Sequence, residues 1–156
     1  PAALSYLPAS WTAAFRWDAE LPSPGGNGTG AYVRRVRNGP AYVNTWERVS
    51  RYDAFWVDAA GVTNVATLNP GPQQGRIEFF EAGWNNFVYT GTSKKAADAL
   101  AGIAGKYTQV LRYDNATGQW QSYIPGQSRY LNSIGGLLTM QVYWIYMTEP
   151  AGIAMD

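Results

Sequence analysis

Short runs of aromatic and β-branched residues, each closed by Gly, Pro, Asn or Asp, recur along most of this chain. Runs of that kind predict β-strands, because such side chains fit a pleated, half-buried surface. In the second half the predicted strands are Ile77–Phe80, Phe87–Tyr89, Gln109–Tyr113, Trp120–Tyr123 and Gln141–Met147. The segment from Arg112 to Trp120 predicts a hairpin with Gly118 at positive φ near the end of its turn. Arg37-Asn38-Gly39-Pro40 is expected to be its shorter counterpart in the first half. One stretch has another period. Ala96, Leu100, Ile103 and Tyr107 recur at helical spacing behind a capping Thr92 or Ser93, and Gly105 is placed to end the run. This predicts a helix over about 93–106.

The chain also repeats itself. Tyr42-Val43-Asn44-Thr45-Trp46 aligns without gaps to Tyr130-Leu131-Asn132-Ser133-Ile134, and the same offset carries Ala54-Phe55-Trp56-Val57 onto Val142-Tyr143-Trp144-Ile145. Val49 and Leu137 fall in step between them. A second block sets Leu4-Ser5-Tyr6-Leu7-Pro8-Ala9-Ser10-Trp11 against Ile77-Glu78-Phe79-Phe80-Glu81-Ala82-Gly83-Trp84. Two matches in the same order predict a duplication. The expected fold is mainly β: two tandem small modules, 1–69 and 76–156, separated by a Pro- and Gly-rich linker at 70–75, with one helix in the second. Each module is small and lacks a disulfide, so the two are expected to pack together.

Composition removes several function classes. Lys and Arg number 12 against 11 Asp and Glu, so no broad field exists to gather phosphates, and nucleic acid is not an expected partner. The chain has no Cys and no His. Thiolate nucleophiles, His-based acid–base catalysis and Cys or His zinc sites are therefore excluded. No run approaches the roughly 20 apolar residues that span a bilayer, so membrane insertion by a helix is not expected. A start at Pro1 in place of Met points to a processed or excised product. Seven Trp, 11 Tyr, 17 Gly and 9 Pro lean toward an extracellular or cell-surface β-protein.

Few residues carry candidate chemistry. The acids are scattered, and Asp53 and Asp58 flanking Phe55-Trp56 are expected at a strand edge for structural reasons. Asp114-Asn115-Ala116-Thr117-Gly118 is oxygen-rich but lacks the alternating acids of a calcium loop, and so predicts a plain turn. No catalytic, metal or cofactor-binding residue is assigned. Asn27 and Asn115 begin N-glycosylation patterns. Arg34, Arg35 and Arg37 form the one basic cluster, expected on a charge-protected edge strand or at a polymer site. Trp11, Trp56, Trp84 and Trp144 recur between the copies, which predicts core roles. Trp17, Trp46 and Trp120 have no aromatic counterpart in those alignments and are the candidates for an interface or for stacking on sugar.

Gly83-Trp84-Asn85, Ile103-Ala104-Gly105-Lys106-Tyr107, Tyr113-Asp114, Thr117-Gly118-Gln119-Trp120, Leu131-Asn132 and Tyr143-Trp144-Ile145 span nearly all of the second copy. Together they resemble a short module, opened by Gly-Trp-Asn and closed by Tyr-Trp-Ile, that recurs in large secreted and surface-anchored bacterial proteins. The resemblance implies an extracellular, repeat-built setting and brings no catalytic residue with it. The expected function is a non-catalytic structural protein: a self-assembling subunit of a surface filament or sheath, with head-to-tail contacts, or an adhesin module. A carbohydrate-binding module, with polysaccharide as partner, is the alternative.

Overall fold

A computed structural model describes residues 4, 7, 10–25, 29–61, 71–73 and 75–156. The chain is mainly β, with one short α-helix among the described residues. The first sheet has three antiparallel strands, with β1 (Trp11–Pro22) between β2 (Thr29–Val36) and β3 (Phe55–Ala59). The second has four, in the order β5 (Gly83–Tyr89), β10 (Gln141–Met147), β7 (Tyr107–Asp114) and β8 (Gln119–Tyr123). Two small ladders complete the set: β4 (Arg76–Phe80) with β11 (Ala151–Met155), and β6 (Lys94–Lys95) with β9 (Gly136–Leu137).

The two sheets share one pairing scheme. Phe15 on β1 stands opposite Arg34 on β2 and Trp56 on β3, while Leu111 on β7 stands opposite Ser122 on β8 and Trp144 on β10. In register, β7 is therefore the counterpart of β1, β8 of β2, and β10 of β3. Beyond β2 the agreement extends to single hydrogen bonds. The Val36 N–H donates to Asn44 Oδ1 at 2.7 Å, and the Ile124 N–H donates to Asn132 Oδ1 at 2.7 Å. Likewise Arg34 N–H donates to the Thr45 hydroxyl and Ser122 N–H to the Ser133 hydroxyl. The unusual backbone positions recur too: Asn38 and Gly126 share positive φ, as do Tyr52 and Met140.

These loops have a physical task. The outer backbone groups of β2 and β8 would otherwise be open sheet edges, ready to pair with another chain. The Asn side chains and the backbone that follows them occupy those groups, with Trp46 N–H donating to Arg34 O and Ile134 N–H to Ser122 O. So Arg34–Val36, expected as a free edge guarded by charge, is covered by its own chain. Ala151–Met155 also pairs with its own chain, at β4, and buries Ile153 and Met155.

Each half has its own apolar cluster. Leu4, Ala14, Val33 and Trp46 form the smaller one, while Leu100, Val110, Leu137, Tyr143 and Ile145 lie at the centre of the larger. The clusters fall on opposite sides of the 70–75 stretch.

Three expectations need correction. The helix over 93–106 is only α1 (Ala96–Ala99), followed by a tighter turn at Ala101–Ile103. Lys94 and Lys95 are drawn into the β6–β9 ladder, where the backbone at Gly136 approaches Lys94 O so closely that a Cβ would lie 2.7 Å away. The positions predicted to be apolar, Ala96, Leu100, Ile103 and Tyr107, are nonetheless all buried. Trp11 and Trp84 are not equivalent in register, since Trp11 opens the central strand β1 while Trp84 lies on β5, which pairs with β10 alone. Arg37–Pro40 corresponds to residues 125–128 and not to the second hairpin, for Gly39 N–H donates to Val36 O just as Gln127 N–H donates to Ile124 O.

Asn44 and Asn132 each accept from one strand-edge N–H and donate to loop carbonyls. Replacing either by Ala should lower unfolding stability by roughly 1–3 kcal/mol, the usual result of leaving part-buried polar groups unpaired. Asp at these positions should be at least as damaging, because it cannot donate. Urea unfolding followed by Trp fluorescence measures both.

Candidate functional site

The two sheets meet through aromatic side chains placed by the shared register. On the first hairpin Trp17 and Tyr32 pack edge to face at 5.0 Å; on the second, Tyr113 and Trp120 do so at 5.3 Å. Each pair receives a Trp from the other half. Trp144 of β10 lies 5.6 Å from Trp17, and Trp56 of β3 lies 5.5 Å from Tyr113 and 5.9 Å from Trp120. The exchange is reciprocal, so each half completes the other's cluster.

Between the hairpins these rings enclose an open basin of about 280 Å³, lined by Trp17, Tyr32, Trp56, Trp84, Trp120 and Trp144 together with Leu111. Tyr32 is 52% and Trp120 53% exposed at its rim. Trp17 is fixed by donating its Nε1–H to Trp84 O at 2.7 Å. It also lies flat against Gly30, where φ is +104° and any Cβ would strike the indole ring. A longer groove of about 570 Å³ runs beside β3 and shares Trp56 and Trp144 with the basin. Its polar lining comes from Asn86 and Asn115.

The candidates separate clearly. Trp17 and Trp120 come together in the basin, while Trp46 is 2% exposed and packs on Phe55 at 5.2 Å in the first core, so no ligand reaches it. Its place in that core is held by Ile134 in the second half. Arg34, Arg35 and Arg37 line neither the basin nor the groove, and Arg34 is occupied in donating to Val43 O. Asn115 is exposed on the β7–β8 turn, and Asn27 lies outside the described residues. That turn forms as expected, with Gly118 at φ 68° and Ala116 N–H capping Asp114 Oδ1 at 2.9 Å. This hydrogen bond holds the Asp114 carboxyl below its ordinary range.

Sequence reasoning passed over Tyr32, Tyr113 and the pairing that links them. The signal was present: Phe15-Arg16-Trp17-Asp18 matches Leu111-Arg112-Tyr113-Asp114, and Tyr32 falls on Trp120. It was hidden because the first hairpin has the longer loop, which gives the strand before the loop a different offset from the strand after it.

Charged side chains line a separate cleft that also includes Trp17. Arg16 pairs with Asp18 at 2.8 Å and with Asp53 at 3.7 Å, and Arg76 pairs with Glu78 while stacking over the Tyr52 ring at 4.6 Å. Burial raises the Glu78 carboxyl above its ordinary value, with the Arg76 guanidinium opposing the rise and Asp53 adding to it. Asp18, Glu20, Glu78 and Glu81 share a polar cleft, but among the described residues no group of three or more such ligands is close enough to hold a metal ion.

Two measurements test this geometry. A Trp56→Ala, Trp120→Ala double-mutant cycle should show a coupling of about 0.5–1.5 kcal/mol, as expected for a packed aromatic pair. Glu78 keeps its proton to higher pH in the folded chain than in the unfolded one, so the folded state binds more protons in that window. Stability should then fall as pH rises from the ordinary value of 4.5 through the raised one. Thermal unfolding across that range should show the slope in the parent and a flatter profile in Glu78→Gln.

No protein-family model, no curated protein and no solved structure matches this chain.

Proposed function

We propose that this chain is a non-catalytic, extracellular structural module that works by contact, as a subunit of a surface filament or sheath or as part of an adhesin. It reads as two diverged copies of one β-unit. The observation that carries the proposal is the inequality of the two sheets. The second sheet carries β5 along the outer edge of β10, whereas β3, the counterpart of β10, has no strand on its outer edge among the described residues. An open edge beside a long groove is a contact surface by construction.

Exposed large apolar side chains support the same reading. Ile77 and the 77% exposed Phe79 stand on the outer face of β4, and Tyr42 and Tyr130 project at matching places, each 85% exposed. Head-to-tail contacts continue, whereas two-fold contacts close, so a filament needs the former.

A second reading is carried by the basin, where exposed Trp120 and Tyr32 offer faces for stacking on a saccharide ring. Light scattering and negative-stain microscopy of the purified chain decide between the two. Growth of oligomers with concentration, abolished by Phe79→Ser or by blocking the β3 edge, is the expected outcome. A persistent monomer whose Trp emission shifts on adding polysaccharide, and does not shift in Trp120→Ala, would replace the first reading with the second.

A further inference from the structure

We infer that the outer edge of β3 is the acceptor for one added antiparallel strand, donated by an extended segment of a neighbouring polypeptide that carries the side-chain pattern of β5. The inference rests on the contact reading above and specifies its partner.

The backbone directions come first. Ala60 N–H donates to Ser10 O on the β1 side, so by the alternation of a strand Trp56 and Asp58 also turn their backbone groups toward β1. Phe55, Val57 and Ala59 turn theirs outward. No described strand meets them. Among the described residues, three successive outward positions are thus without a strand partner, while the other edge of β3 pairs with β1.

The register of the other half states what fits there. On β10 the positions matching Phe55, Val57 and Ala59 are Tyr143, Ile145 and Met147, and these stand opposite Phe87, Asn85 and Gly83 of β5. An incoming strand in the same register places an aromatic residue opposite Phe55, an amide opposite Val57 and a glycine opposite Ala59. Phe55, Trp56, Val57 and Ala59 line the 570 Å³ groove together with Leu7, Tyr113 and Trp144.

A second feature points to the same occupant. In the filled half, Trp17 donates its Nε1–H to the Trp84 carbonyl, on the edge of β5 that faces away from β10. Tyr113 is the counterpart of Trp17, it borders this groove, and its hydroxyl makes no hydrogen bond among the described residues. It is placed to donate to a carbonyl of the incoming strand. Asp58 on β3 accepts from the Thr12 hydroxyl at 2.8 Å, and a segment with the composition of β5 carries no charged side chain for it to repel.

The probe is a synthetic peptide of the chain's own Ala82–Thr90 sequence, with a scrambled peptide as control, added to the intact chain. Amide hydrogen exchange followed by NMR is expected to slow about tenfold or more at Val57 and Ala59, with little change at Trp56 and Asp58, which are already paired. Val57→Pro removes an outward N–H without touching the β1 ladder and should weaken peptide binding about tenfold or more. Tyr113→Phe keeps the ring and should weaken it by a smaller factor, which supplies a reading even if the proline variant does not fold. Equal exchange at Val57 and Ala59 with and without peptide overturns the strand site, as does protection of those amides by polysaccharide and not by peptide. A chain that oligomerises while the peptide leaves β3 unprotected overturns the strand site and leaves the contact reading standing. A monomeric chain that binds the peptide does the reverse.

Discussion

The reciprocal insertion of Trp56 and Trp144 is the contact on which the rest of this molecule depends. Each half has a sheet and a core of its own, and neither core is large. The first, built around Leu4, Ala14, Val33 and Trp46, is the smaller and has no disulfide to support it. A unit of that size buries too little apolar surface to offset its chain entropy with much margin. Packing Trp56 against Tyr113 and Trp120, and Trp144 against Trp17 and Tyr32, adds several large rings to the buried surface of both halves at once. The halves are therefore expected to stand or fall together, and the basin between them is a by-product of that union.

The same exchange explains why the surface is unevenly divided. Aromatic residues committed to the junction need a scaffold that keeps two hairpins at fixed spacing, and the Asn44 and Asn132 loops provide it by closing the outer edges of β2 and β8. With those edges closed, β3 is the strand of the first sheet that, among the described residues, has no partner on its outer edge. In the second half a segment, β5, covers the corresponding edge of β10, so the two halves differ at this position among the described residues.

Much of the architecture was legible in the residues themselves. Strand runs such as Gln141–Met147, the Gly118 turn and the Tyr-x-Asn-Ser/Thr repeat are local signals, set by side-chain shape and backbone preference within a few residues. The helix was overextended because a helical period tells which residues turn inward but not whether neighbouring backbone will claim the ends. Lys94 and Lys95 were claimed by Gly136 and Leu137, which lie far along the chain. The pairing of Trp11 with Trp84 failed for a similar reason: matching residue types near a Trp does not distinguish a central strand from an edge strand.

What the sequence determined by itself was the β class, the repeated loop, the lack of His and Cys chemistry and the presence of Trp17 and Trp120 as residues in need of explanation. Only the tertiary structure decided that these two share a basin with Tyr32, that Trp46 belongs to a core and that, among the described residues, β3 has no strand on its outer edge. Those outcomes turn on long-range register, in which a change of one residue moves every side chain to the opposite face. Loop length sets that register, and two loops of unequal length concealed in the sequence a symmetry that the paired strands display.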